Sequence, residues 1–81
     1  MANIEAIINN KLEQFTRLGK IAKQIQNKRG KKELLQNIYK GMAKIAIDLE
    51  LVKDVIFDQH PNLGPLFESL IELYGPEVRG Q

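Results

Sequence analysis

The fold is decided by residues 35–56, which read LQNIYKGMAKIAIDLELVKDVI. The apolar residues of this stretch recur at alternating steps of three and four, the spacing of a helix that packs along another helix. The members of this heptad row are Leu35, Ile38, Met42, Ile45, Leu49, Val52 and Ile56. The spacing therefore predicts one long helix over residues 31–57.

A second apolar row lies in the later half of the same segment. Ile47, Leu51 and Val55 recur at steps of four, on roughly the opposite side of the predicted helix from the heptad row. A helix that is apolar on two sides needs two neighbours to cover it. We therefore expect two other segments of the structure to pack against residues 31–57.

The first neighbour is a predicted helix over residues 4–27, whose apolar residues also recur at threes and fours. Asn3 precedes this helix and is expected to cap its first backbone N–H groups. Gly30 favours the left-handed conformation that ends a helix, and Lys28 and Arg29 suit its negative C-terminal end. The short connection that follows predicts an antiparallel helical hairpin. The apolar face of the first helix is formed by Ile4, Ile7, Ile8, Leu12, Phe15, Leu18, Ile21, Ala22 and Ile25.

A short third helix is predicted over residues 65–74. Pro65 suits the first position of a helix, and the pair Gly75 and Pro76 is expected to stop it. We expect this helix to fold over the second apolar row. Residues 1–76 are then expected to form one helical domain, and residues 77–81 a flexible tail. Its apolar positions are Leu66, Phe67, Leu70, Ile71 and Tyr74.

The composition excludes several classes of function. The 81 residues include no cysteine and one histidine, which argues against disulfides, thiolate chemistry and a zinc site. His60 lies near Asp58 without a serine or cysteine nucleophile beside it, so we interpret it as an ordinary loop residue. We expect a protein that is not an enzyme, binds no metal or cofactor, and, lacking a long apolar run, is cytoplasmic rather than membrane-bound.

The charge is distributed unevenly along the chain. Residues 1–44 contain ten Lys or Arg and three acidic residues, whereas residues 45–81 contain two Lys or Arg and seven acidic residues. An antiparallel hairpin would gather the basic residues around its turn and the acidic residues toward its other end. Such a charge dipole can steer association, including antiparallel pairing of two copies.

Four cations at the predicted hairpin turn form a candidate binding site for anions or nucleic acid. We call Lys28, Arg29, Lys31 and Lys32 the basic tip. A helix N-terminus attracts phosphate, and lysines placed there are otherwise slightly unfavourable. The alternative is a solvated turn, since no aromatic residue lies between Thr16 and Ile38 to stack on bases.

The apolar pattern also predicts self-association, because a chain of this size builds a small core. The residues expected at a homodimer interface are the heptad row Leu35, Ile38, Met42, Ile45, Leu49, Val52 and Ile56, together with Phe67 and Tyr74. Two hairpins would then complete a helical bundle. The alternative is that the heptad row forms only the interior of its own hairpin.

Three functional hypotheses follow from these patterns. The first is a small non-catalytic protein-protein interaction or regulatory protein, acting as a homodimer or docking on a larger partner. The second is a nucleic-acid-binding regulator that uses the basic tip. The third is a subunit or chaperone that takes a partner helix into an apolar groove formed by Leu66, Phe67, Leu70 and Tyr74.

Overall fold

The computed structural model describes residues 3–80, and over these residues the chain is all-α, as the sequence predicts. Helix α1 spans Ile4–Ile25 and helix α2 spans Lys32–Asp48. A single 3-10 turn, Glu50–Val52, leads into the short helix α3, Lys53–Gln59. Helix α4, Leu63–Val78, completes the fold.

Two local predictions about α1 and its end are confirmed. The side-chain oxygen of Asn3 accepts hydrogen bonds from the backbone N–H groups of Glu5 and Ala6, at 3.0 and 3.4 Å. Helix α1 ends at Ile25, slightly earlier than predicted, and Gly30 adopts the expected positive φ of 78°. The turn between α1 and α2 is thus built from local sequence signals.

The start of α1 contacts the end of α2, and residues further along α1 contact earlier residues of α2. Lys11 Nζ lies 3.2 Å from Asp48 Oδ2, near the start of α1 and the end of α2. One side-chain contact further along α1 joins Leu18 to Gly41, where an added Cβ would lie 3.5 Å from Leu18 Cδ1. This separation is an ordinary van der Waals distance, so α1 and α2 are in contact at this point.

Helix α4 lies across α2 rather than along it. Lys40 Nζ is 2.8 Å from Glu77 Oε1, and Arg79 Nη2 is 2.9 Å from Glu50 Oε2. Glu77 and Arg79 are two positions apart in the sequence. Their partners, Lys40 and Glu50, are ten positions apart, which corresponds to about 15 Å along a helix. One stretch of α4 also lies near two separate turns of α2. Leu66 and Leu70 share a surface pocket with Tyr39, and Phe67 and Ile71 share another with Ala46, as expected for a helix that crosses α2. Ala46 of α2 is completely buried beneath this crossing.

Three phenylalanine rings join α1, α3 and α4. The Phe67 ring centroid lies 4.9 Å from that of Phe15 and 5.6 Å from that of Phe57, the latter with T-shaped geometry. These separations are in the favourable range for aromatic pairs. Phe67 is 2% exposed and forms the centre of the core. The buried core residues are Phe15, Ala22, Ile38, Met42, Ala43, Ile45, Ala46, Leu49, Ile56, Phe67 and Leu70.

The predicted single helix over residues 31–57 is wrong, because α2 ends at Asp48 and the 3-10 turn intervenes before α3. No glycine or proline marks this interruption in the sequence. Leu49 and Ile56 are nevertheless both buried, so the heptad spacing is satisfied on either side of the turn. We attribute the interruption to tertiary packing, which brings α3 and its Phe57 ring to Phe67.

The predicted bounds of the last helix, residues 65–74, are also wrong. Helix α4 begins at Leu63, so Pro65 lies in the first turn, where its missing N–H costs no helical hydrogen bond. It continues through Pro76 to Val78 because Gly75, which lacks a Cβ, relieves part of the clash that proline imposes on the preceding residue. Of the predicted tail 77–81, residues 77 and 78 belong to α4, and Gln81 lies outside the described residues.

The predicted cover for the second apolar row is wrong as well. Leu51 is 100% exposed and Val55 is 56% exposed, so α4 does not lie over them. Helix α4 instead packs on the side of α2 that carries Tyr39 and Ala46, where the rings of Tyr39 and Tyr74 are stacked at 6.2 Å. This placement leaves an apolar strip at the end of the molecule that contains α3.

The substitution F67A should lower the free energy of unfolding by about 3–5 kcal/mol, because it leaves a cavity between the Phe15 and Phe57 rings. The matched control is L73A on the same helix, at a side chain that is 71% exposed. This control should change stability by about 0.5 kcal/mol or less. Urea denaturation of both variants measures the difference, and equal losses would contradict the described core.

Candidate functional site

A pocket of about 260 Å³ lies where the end of α2, the 3-10 turn, α3 and α4 meet. Its floor is apolar and is formed by Ala46, Phe57, Phe67 and Ile71. Two of these residues, Phe57 and Phe67, belong to the aromatic cluster that positions α3 and α4. The packing that stabilises the fold therefore also shapes the pocket.

The rim of this pocket is predominantly acidic. Glu50, Glu68 and Glu72 line it, with Lys53 as the only cation among its lining residues. Glu68 and Glu72 are one turn apart on α4, so their carboxylates project from the same helical face. We call the apolar floor and its rim the acidic pocket.

One rim carboxylate already binds a cation from elsewhere in the chain. Arg79, which follows α4, donates a hydrogen bond from Nη2 to Glu50 Oε2 at 2.9 Å. Both side chains are nearly half exposed, so the pair adds at most about 1 kcal/mol to stability. Glu68 and Glu72 form no ion pair with any other described residue.

Exposed apolar side chains extend from this end of the molecule. Leu51 and Val55 lie on the 3-10 turn and α3, next in the chain to Glu50 and Asp54. A fully exposed leucine is common on protein surfaces, but here it accompanies a second apolar residue and an apolar pocket. The end of the molecule that contains α3 thus combines apolar surface with negative charge.

The basic tip occupies the turn between α1 and α2. Every residue from position 26 to position 34 is exposed. None of the four tip cations, Lys28, Arg29, Lys31 and Lys32, forms an ion pair with another described residue. Lys31 immediately precedes α2 and Lys32 begins it, at the positive end of the helix dipole. The tip is therefore an open cluster of four cations, with Glu33 as the one acidic residue among positions 26–34.

The residues predicted to form a homodimer interface lie mainly inside the single chain. Ile38, Met42, Ile45, Leu49, Ile56 and Phe67 are buried, and Leu35, Val52 and Tyr74 are partly buried against the same core. Their burial is thus explained within one chain, and association through them stays a prediction. The third hypothesis placed a groove on α4, but Phe67 and Leu70 are buried and Tyr74 stacks on Tyr39.

Sequence reasoning did not identify the acidic pocket. The spacing of Glu68 and Glu72 on either side of Ile71 was visible, but it is equally typical of any solvated helix face. What creates the pocket is the meeting of Ala46, Phe57 and Phe67 from three separate elements. That meeting depends on the crossing of α4 over α2, for which the sequence has no local signal.

Two further observations concern metal ligands and membrane-spanning helices among the described residues. No group of three or more His, Asp or Glu side chains within residues 3–80 is arranged to hold a metal ion. In the same part of the chain, no helix combines the length and the apolarity needed to cross a membrane.

Comparison with known proteins gives no relative for this chain. It matches no protein family, no curated protein and no solved structure. Its functional interpretation therefore rests on the acidic pocket and the basic tip.

The substitution L51S should leave the free energy of unfolding within about 0.5 kcal/mol of the unsubstituted chain, because the Leu51 side chain is fully exposed. The substitution I56A removes a side chain that is 1% exposed, and it should lower the free energy of unfolding by about 2–5 kcal/mol. Thermal unfolding of both variants tests this contrast. A large loss in L51S would show that Leu51 is covered, as in the continuous helix that the sequence pattern favours.

Proposed function

We propose that this chain is a small non-catalytic interaction protein that acts as a homodimer or by docking on a larger partner. The observation that carries the proposal is the acidic pocket, in which the half-buried Phe57 and Ile71 present apolar surface beside exposed carboxylates. Burial of an apolar side chain supplies most of the affinity at such sites, and surrounding charged groups select the partner. Helix α2 contributes Ala46 to the pocket floor, and α1 contacts the floor residue Phe67 through Phe15.

The residues that line the pocket favour binding over catalysis. They include neither histidine nor any hydroxyl or thiol nucleophile. Their polar groups are Glu50, Lys53, Glu68 and Glu72, all on exposed side chains. Such solvated groups suit the recognition of a complementary charge, since catalytic acids and bases are usually tuned by burial.

A photo-crosslinking amino acid at position 68 tests this proposal, because Glu68 lies on the pocket rim. In cells that express the protein, we expect a covalent adduct with a polypeptide, either a second copy or another protein. The same amino acid at position 14, an exposed site on α1, is the control and should give much less adduct. Equal yields at both positions, or no adduct at position 68, would count against the proposal.

Nucleic-acid binding by the basic tip is the second candidate function. The observation that favours it is that four exposed cations surround the start of α2 without an ion-pair partner among the described residues. Lysine and arginine gain binding energy by releasing counterions from the phosphate backbone. Such binding is independent of base sequence and needs no aromatic residue near the tip.

Titration with RNA and DNA at several salt concentrations tests the second candidate. The variant K28Q/R29Q/K31Q/K32Q should lose binding, because it removes the cations that contact phosphates. For the unsubstituted chain, log affinity should fall with log salt by about 0.9 for each phosphate contacted. The control K20Q/K23Q/K44Q/K53Q removes equal charge from exposed sites outside the tip. Equal loss in both variants would indicate an effect of net charge, and absence of binding by the unsubstituted chain would exclude this function.

A further inference from the structure

We propose that the acidic pocket of one copy receives the basic tip of a second copy, and that two chains pair reciprocally in this way. The inference rests on the proposed function and names the partner of its site. It differs from the pairing predicted by the sequence, because the heptad row lies in the core of each chain and takes no part.

Charge complementarity is the first argument. The tip presents four cations without an ion-pair partner among the described residues, and the pocket rim presents three carboxylates. Arg79 partly neutralises Glu50, which leaves Glu68 and Glu72 as the carboxylates that face outward unpaired. The ion pair between Arg79 and Glu50 is itself an example of a guanidinium held at this rim. The chain thus carries both halves of a complementary contact.

The tip also carries an apolar side chain suited to the pocket floor. Leu34 is 46% exposed and lies two residues after Lys32. The pocket volume of about 260 Å³ accommodates a side chain of this size above Phe57, Phe67 and Ile71. Leu34 follows Lys31, Lys32 and Glu33, so the tip presents an exposed apolar side chain close to two lysines, and these can face the apolar floor and the acidic rim.

The shape of the molecule makes the tip accessible to a second copy. The contacts of α4 with α2 described above fall between Tyr39 and Glu50, whereas residues 26–34 are exposed throughout. The tip precedes α2 and α3 follows it after the 3-10 turn, so the tip and the α3 end lie at opposite ends of α2 in a molecule of 43 × 28 × 25 Å. Two copies placed side by side in opposite directions bring each tip to the pocket of the other.

Reciprocity follows from the presence of both surfaces on one chain. A single contact between tip and pocket would leave one free tip and one free pocket, so further copies would add without limit. Two simultaneous contacts close the assembly as a twofold dimer. The proposal therefore predicts a dimer as the largest species.

Sedimentation velocity with two charge-reversed variants tests the pairing. E68K/E72K reverses the pocket rim, and K28E/R29E reverses part of the tip. Each variant alone should associate at least about tenfold more weakly than the unsubstituted chain, since like charges then face each other. An equimolar mixture should recover dimers, because each remaining contact joins opposite charges.

The control variant K23E/K44E reverses two exposed lysines outside the tip and should dimerise like the unsubstituted chain. Circular dichroism establishes that each variant is folded. For any variant that is not, E68Q/E72Q or K28Q/R29Q replaces it and should weaken association to a smaller extent. The dimer of the unsubstituted chain should also weaken as added salt screens these charges.

Three results would overturn the pairing: a monomer at every concentration and salt, dimers unaffected by both reversals, or a mixture that stays monomeric. Oligomers larger than a dimer would overturn its reciprocity. A monomeric chain whose position 68 still crosslinks to another protein would overturn this inference and leave the proposed function intact. Absence of any adduct at position 68 would overturn the proposed function as well.

Discussion

The burial of the Phe67 ring between Phe15 and Phe57 is the contact on which the rest of this structure depends. It joins α1 to the consecutive elements α3 and α4, which lie far from α1 in the sequence, at one point beside α2. The same contact fixes where α4 crosses α2 and how α3 turns away after the 3-10 turn. Because Phe57 and Phe67 also line the acidic pocket, the proposed binding surface depends directly on the core.

The parts of the fold that follow from the sequence are those controlled by neighbouring residues. Asn3 caps α1, Gly30 supplies the positive φ of the turn, and the spacing of apolar residues identifies the buried face of α2. The interruption after Asp48 was not predictable, because residues 49–52 contain no glycine or proline. It is determined by long-range packing, which brings Phe57 of α3 to Phe67 of α4.

The two candidate surfaces also differ in whether they depend on neighbouring residues or on long-range packing. The basic tip is contiguous in sequence, so its exposure and charge could be inferred from Lys28 to Lys32 alone. The acidic pocket combines Ala46 with residues as distant as Glu72, and its existence depends on a helix crossing that no local pattern encodes. The uneven distribution of charge along the chain did anticipate that the two surfaces would have opposite sign. It did not indicate that one of them would surround an apolar cavity.

The central claim is that one chain closes its own core around Phe67, which leaves the tip and pocket free for a partner. Nuclear Overhauser spectroscopy tests it most directly, using a uniformly labelled sample and a mixture of labelled and unlabelled chains. The account predicts cross-peaks between the Phe15 and Phe67 rings in the first sample and no cross-peak between these two rings in the filtered spectrum of the second, which detects only contacts between chains. Cross-peaks between the two rings across chains would show that α4 is exchanged with a neighbour and would contradict the account.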